Sequence, residues 1–156
     1  MEDVWVTLAK TDIASALRMS RWGYAAVNTA HIAAIGILFG SVMVLDLRLL
    51  GFWRSIALAN LARPLVTMAA IGLAIVIASG LLLFVTRADE YAALGIFRVK
   101  LALVTIGTAS ALAHHLRFGC TLTGASTGVL RIAGITSLIC WAGALLCGRL
   151  IAFMGE

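Results

Sequence analysis

The sequence predicts an all-α fold: an integral membrane four-helix bundle with an N-terminal interfacial amphipathic helix. Three observations carry that reading. Apolar residues make up 62% of the 156 positions and charged residues only 12%, where a soluble domain runs near ~45–50% and ~25%. A chain this short leaves much of its surface exposed, so no aqueous core could hold the surplus. Mean hydropathy is +1.06, and the apolar residues fall in long runs that are nearly free of charge. Lipid is the solvent that fits.

About 20 apolar residues cross a bilayer. Trp22 to Leu45 is the first such run, with His31 as its one side chain that titrates near neutral pH, and it ends in Asp46-Leu47-Arg48. Pro64 to Thr86 is the second and carries no charge. Pro64 suits a first helical turn, where its missing N–H costs nothing. The third run is placed at 91–113 and includes Arg98 and Lys100, both near one end where they can snorkel. The fourth is placed at 132–154, with Arg149 in its last turns. Ahead of the first span, Thr11-Asp12 can cap a helix through about Arg21. Ile13, Ala16, Leu17 and Ser20 would share its membrane face. The connection from Leu47 to Arg63 has room for another short surface helix. Four spans leave no second domain, so residues 1–156 read as one transmembrane unit. Gly36 with Gly40, Gly72 with Ala69, and Gly143 with Cys147 have the spacing of close helix packing within such a bundle. No internal repeat points to a transporter of inverted halves.

Twelve Lys and Arg oppose seven Asp and Glu, but the cations sit singly at the ends of apolar runs. That is headgroup contact and not a nucleic-acid stripe, so no nucleic-acid partner is expected. Lys10, Arg18, Arg21 and Arg87 on the terminal side face Arg48, Arg54, Arg63, Arg117 and Arg131 on the other. The near balance leaves orientation undetermined. No n-region of positive charge precedes a short apolar core at Met1-Glu2-Asp3, so a cleaved signal peptide is not expected. Cys120, Cys140 and Cys147 form no CxxC pair, which argues against a disulfide framework.

An ionisable side chain inside a membrane is costly and is therefore a functional hypothesis. His31, Arg98, Lys100 and Arg149 fall toward the terminal side; Asp46, His114 and His115 fall at the opposite face. Two polar clusters follow. One haem held by both His31 and His114 conflicts with a depth difference of roughly 18 Å, estimated from the helical rise. Haem at His31 alone fits better, with Arg149, Arg98 or Lys100 neutralising its propionates. Otherwise His31 hydrogen-bonds a neighbouring helix, as buried polar groups must. At the other end His114, His115, Asp46 and Cys120 offer the donor types of a copper or zinc site. Two adjacent histidines point about 100° apart on a helix, so sharing one ion requires a frayed helix end. The plainer reading has one histidine packing and the other meeting headgroups.

Leu17 to Gly51, with its histidine and the closing DLRLLG at Asp46 to Gly51, resembles a family of small, functionally uncharacterised bacterial membrane proteins. The resemblance continues in FRVK at Phe97 to Lys100, in the histidine ending the third span, and in Ser137 to Phe153. More weakly, the chain resembles cytochrome b561-type and copper-resistance-D-type bundles, whose helices carry haem-binding histidines. The resemblance implies the bacterial cytoplasmic membrane and a redox role. The chain departs from the b561 pattern in having too few histidines for two bis-histidine haems.

The resulting expectation is a membrane redox or electron-transfer protein binding haem b, with copper or zinc at the opposite face. Its partners would be the bilayer, a quinone or redox protein, and further copies of itself. The alternative is a cofactor-free permease or an accessory subunit, in which Asp46 pairs with Arg48 or Arg63. No catalytic triad, phosphate loop or paired acid constellation names a reaction.

Overall fold

A computed structural model of the chain describes residues 2–122 and 124–154. Its helices are α1 (Glu2–Ala9), α2 (Asp12–Met19), α3 (Arg21–Leu50), α4 (Leu58–Thr86), α5 (Ala88–Ala93), α6 (Gly95–Phe118) and α7 (Thr127–Met154). α3, α4, α6 and α7 are long and apolar enough to cross a bilayer, so the protein is an all-α, multi-pass membrane protein. Ile32, Ile71, Ile106 and Ile139 stand exposed on their outer faces, where lipid is their solvent.

Helical geometry carries each span beyond its apolar run. α3 continues through Asp46 and Arg48 until Gly51, whose φ of 110° ends it in the left-handed conformation. Its 30 residues reach about 45 Å, well past a hydrocarbon core of ~30 Å. α4 starts at Leu58, not at Pro64, so the proline lies inside the helix and removes one backbone hydrogen bond. The early start is stabilised by burial: Leu58, Ala62, Leu65 and Val66 pack on Leu45, Leu49, Leu122 and Ala133. Residues 51–57 form a turn instead of the surface helix expected there. Tyr91 belongs to α5, and extended backbone at Leu94 delays the third span to Gly95. α6 then runs on to Phe118, so His114 and His115 both lie on helix, His115 in its last turn. α7 begins at Thr127, five residues before the expected Ile132, with Ser126 Oγ accepting from the Val129 N–H.

The N-terminal segment is two helices where one was expected. α2 starts where predicted, with Thr11 accepting from Ala14 N–H. Ala14 is the residue it buries against the bundle; Ile13 stays 64% exposed, available to lipid. Arg18 holds this layer down. Its guanidinium donates to Thr86 O at 3.0 Å and to Ala9 O at 2.5 Å, satisfying carbonyls at the C-terminal ends of α4 and α1.

The spans are ordered α4–α3–α7–α6. α3 packs on α4 and α7, and α6 on α7, whereas no Cα of α4 lies within 8 Å of one in α6 among the described residues. Glycines permit two close backbone approaches. A Cβ at Gly72 would stand 2.9 Å from Leu38 N and 3.1 Å from Ala34 O, so the α3 and α4 backbones meet there. At Gly134 it would stand 3.1 Å from Asp46 O, where α7 meets α3. Gly36 and Gly40 behave differently from expectation. Nothing lies within 4 Å of a Cβ at either, so that pair serves no contact inside the chain. Gly72→Ala should therefore destabilise the bundle by about 1–3 kcal/mol, because the methyl meets unyielding backbone. Gly36→Ala should leave the monomer's melting temperature in detergent unchanged; equal melting shifts for the two would contradict this helix order.

Candidate functional site

The polar centre is built by four helices at the end nearer the termini. His31 of α3 turns toward α4, where its Nδ1 lies 2.8 Å from Ser79 Oγ. The Ser79 hydroxyl donates to the Ile75 carbonyl one turn back, at 2.5 Å. With its one hydrogen committed, Ser79 accepts from His31 Nδ1–H. In that arrangement Nδ1–H is the donor and Nε2 carries the lone pair, and the imidazole also meets the Val76 backbone. The imidazole lies against Gly80, where a Cβ would come 3.2 Å from His31 Cε1. Any side chain there would push the ring.

Lys100 enters the same centre from α6. Its stem runs over Gly148 of α7, with Nζ 3.5 Å from where a glycine Cβ would be. The ammonium is close enough to His31 and Cys147 to interact with both electrostatically. Among the described residues it has no carboxylate partner; the ion pair found there is Arg87–Glu90 at 3.4 Å, on the surface.

Of the residues that sequence placed at this end, His31 and Lys100 come together and the two arginines do not. Arg98 is exposed and donates to Ala92 O at 3.2 Å, holding the end of α5. Arg149 is exposed and lies over the Phe153 ring, 4.5 Å from its centroid. Ser79, Gly80 and Gly148 were missed. Ser79 had a faint signal, as one of few hydroxyls in an otherwise uncharged span, next to a glycine.

At the opposite end the described candidate ligands lie apart. Asp46 is 3% exposed, with Ser137 as the hydroxyl in reach of its carboxyl and Oδ2 without a partner. Arg48 does not pair with it, donating instead to Ile56 O at 3.0 Å, and Arg63 makes no ion pair among the described residues. His114 Nδ1–H donates to Ser110 O at 2.7 Å and His115 Nδ1–H to Gly119 O at 3.4 Å, while Cys120 is exposed and free. No three His, Cys, Asp or Glu residues gather as an ion site among the described residues, so Asp46, His114, His115 and Cys120 do not converge. The regular helix explains this: it keeps the adjacent imidazoles on different faces.

Aromatic rings cover the terminal end. Trp5 meets Phe84 edge-on at 5.8 Å, Phe84 stacks on Phe97 at 5.3 Å, and Tyr91 stacks on Phe97 at 5.9 Å. Burial, with Tyr24 adding to it, pushes the Tyr91 phenol above its ordinary value, so it remains a neutral O–H in this apolar stack.

No family model, curated protein or solved structure matches the chain. The functional reading rests on these residues. Ser79→Ala should leave His31 Nδ1–H without its acceptor, lower stability by about 1 kcal/mol and erase the tautomer preference. Imidazole ¹⁵N NMR of the wild type should report a protonated Nδ1 and a bare Nε2 for His31. The same spectrum in the Ser79→Ala variant would contradict the relay.

Proposed function

We propose that this is a membrane redox protein of the bacterial cytoplasmic membrane that binds haem b through His31. One arrangement supports it above the others: the His31 imidazole, bonded to Ser79 through Nδ1, is within electrostatic reach of Lys100, which makes no ion pair among the described residues. A metal held by side chains alone needs three or four donors, which this centre lacks. Haem brings four nitrogens of its own and asks the protein for axial ligands only. Ser79 would be the outer partner that orients the ligand and raises its basicity. Lys100 would neutralise a propionate, a role that Arg98 and Arg149 are too exposed to share. When bound, such a group supplies one-electron exchange, with the bundle tuning its potential through burial and hydrogen bonding.

A quinone or a redox protein would be the electron partner, and self-association is part of the proposal; native mass spectrometry finding only monomer in mild detergent would count against it. Copper or zinc at the opposite face has no converging donors and is not carried forward.

The competing reading, an accessory subunit or cofactor-free permease, is favoured by the bare face around Gly36 and Gly40, which suits close contact with another membrane helix. A visible spectrum and iron analysis of detergent-purified, haem-replete protein separate the two. A Soret band is expected, at least ~10-fold weaker in His31→Ala and intact in a His114→Ala/His115→Ala double variant, because distant sites act independently. Absence of that band from the wild type would sink the haem reading.

A further inference from the structure

We infer that the turn joining α3 to α4 is a docking site for an acidic phospholipid headgroup, held by Arg48 and Arg54. It does not depend on what His31 binds.

Charge is divided unevenly between the two ends of the bundle. Residues 47–63 and 114–131, at the end far from the termini, include Arg48, Arg54, Arg63, Arg117 and Arg131 and no Asp or Glu. The nearest acid in sequence, Asp46, is 3% exposed between α3 and α7 and makes no ion pair among the described residues. Asp12, Asp89 and Glu90 lie on α2 and α5 at the terminal end, where Glu90 pairs with Arg87. The far end therefore presents positive charge that no described carboxylate cancels.

Two of its arginines are fixed on one turn. Arg48, in the last turn of α3, donates through Nε to Ile56 O at 3.0 Å, and Arg54 donates through Nε to Gly51 O at 3.1 Å. Arg54 folds back over Gly51, where a Cβ would come 2.8 Å from its Nη2. Each guanidinium commits its inner nitrogen to a carbonyl. The outer two, the fork that matches a phosphate, have no partner among the described residues. Anchored in this way, both lose little freedom on binding. Between them Trp53 holds the left-handed conformation, φ 47°, which an L residue keeps only where its surroundings enforce it.

Depth and apolar surface select lipid as the source of that phosphate. α3 reaches about 45 Å, the thickness of a bilayer with its headgroups, so the turn beyond Gly51 stands at headgroup depth. There Phe52, Trp53 and Ile56 are 57%, 49% and 42% exposed, with the two rings 6.2 Å apart. Aromatic rings beside cations suit the membrane interface, whereas a soluble anion would leave all three apolar side chains in water. A zwitterionic headgroup brings an ammonium that the surrounding arginines repel. An acidic one does not.

The test is native mass spectrometry of the whole protein in mild detergent, titrated with dioleoyl phosphatidylglycerol or dioleoyl phosphatidylcholine. The first phosphatidylglycerol should bind at least ~10-fold more tightly than the first phosphatidylcholine, the scale of two cations at a headgroup. Arg48→Gln/Arg54→Gln should bring that ratio below ~3-fold. Arg54→Gln alone, at an exposed turn position where folding is not at stake, should lower it part of the way. Lys10→Gln/Arg21→Gln at the terminal end should keep it. Phe52→Ala/Trp53→Ala should weaken both lipids and spare the ratio. Equal affinity of the wild type for the two lipids, or a ratio lowered as much by the terminal-end variant as by the turn variant, would overturn the site. Displacement of phosphatidylglycerol by millimolar inorganic phosphate, with neither lipid weakened in the ring variant, would overturn lipid as the occupant.

Discussion

Hydrocarbon offers no hydrogen-bond partner, so each polar side chain inside this bundle must be satisfied by another helix or by something bound. The His31–Ser79 bond is where that constraint shapes the molecule most. It ties the central helix α3 to α4, and it needs the two helices close, which Gly72 and Gly80 permit by presenting no side chain. The same bond commits one imidazole nitrogen and frees the other. Packing and chemistry are thus set together: the glycines that let α4 approach also decide how His31 is oriented and which atom it offers.

The two ends of the bundle answer the cost of polarity differently. Near the far face, Asp46 is sealed between α3 and α7, with Gly134 allowing the approach. Its neighbours are hydroxyl and backbone, and the histidines of α6 are turned to their own helix carbonyls or to the following turn. Near the termini the His31–Ser79 pair bonds across helices instead, and Lys100 makes no ion pair among the described residues. Neither end is fully balanced, since the buried Asp46 Oδ2 also lacks a hydrogen-bond partner among the described residues.

Much of the fold was legible because span length and hydropathy are physical requirements of a bilayer, and all four spans were visible in them. Their ends were not. The start of α4 depends on Leu58 and Ala62 packing on α3 and on the loop at Leu122, contacts that a charge-free window cannot report. Pro64 misled for the same reason, since burial on either side of it outweighed one lost hydrogen bond. At the site, depth along a helix could place His31 and Lys100 toward the same end, because rise per residue is fixed. It could not tell that Arg98 and Arg149 turn outward, since rotation about the helix axis depends on which neighbours a helix has. The Gly36–Gly40 spacing was visible too, but spacing alone does not say which surface it meets.

The central claim is that His31 and Lys100, 69 positions apart in sequence (100 − 31) and on helices whose backbones do not touch, share one intramembrane centre. Lys10 and Lys100 are the two lysines of the chain, so selective labelling is nearly unambiguous. Dipolar recoupling NMR in bilayers, between ¹⁵Nζ-lysine and ¹³C-ring histidine, should give a cross-peak that vanishes in Lys100→Met and survives in Lys10→Met. No lysine–histidine contact in the wild type would mean that Lys100 snorkels to the headgroups, and the shared centre would not exist.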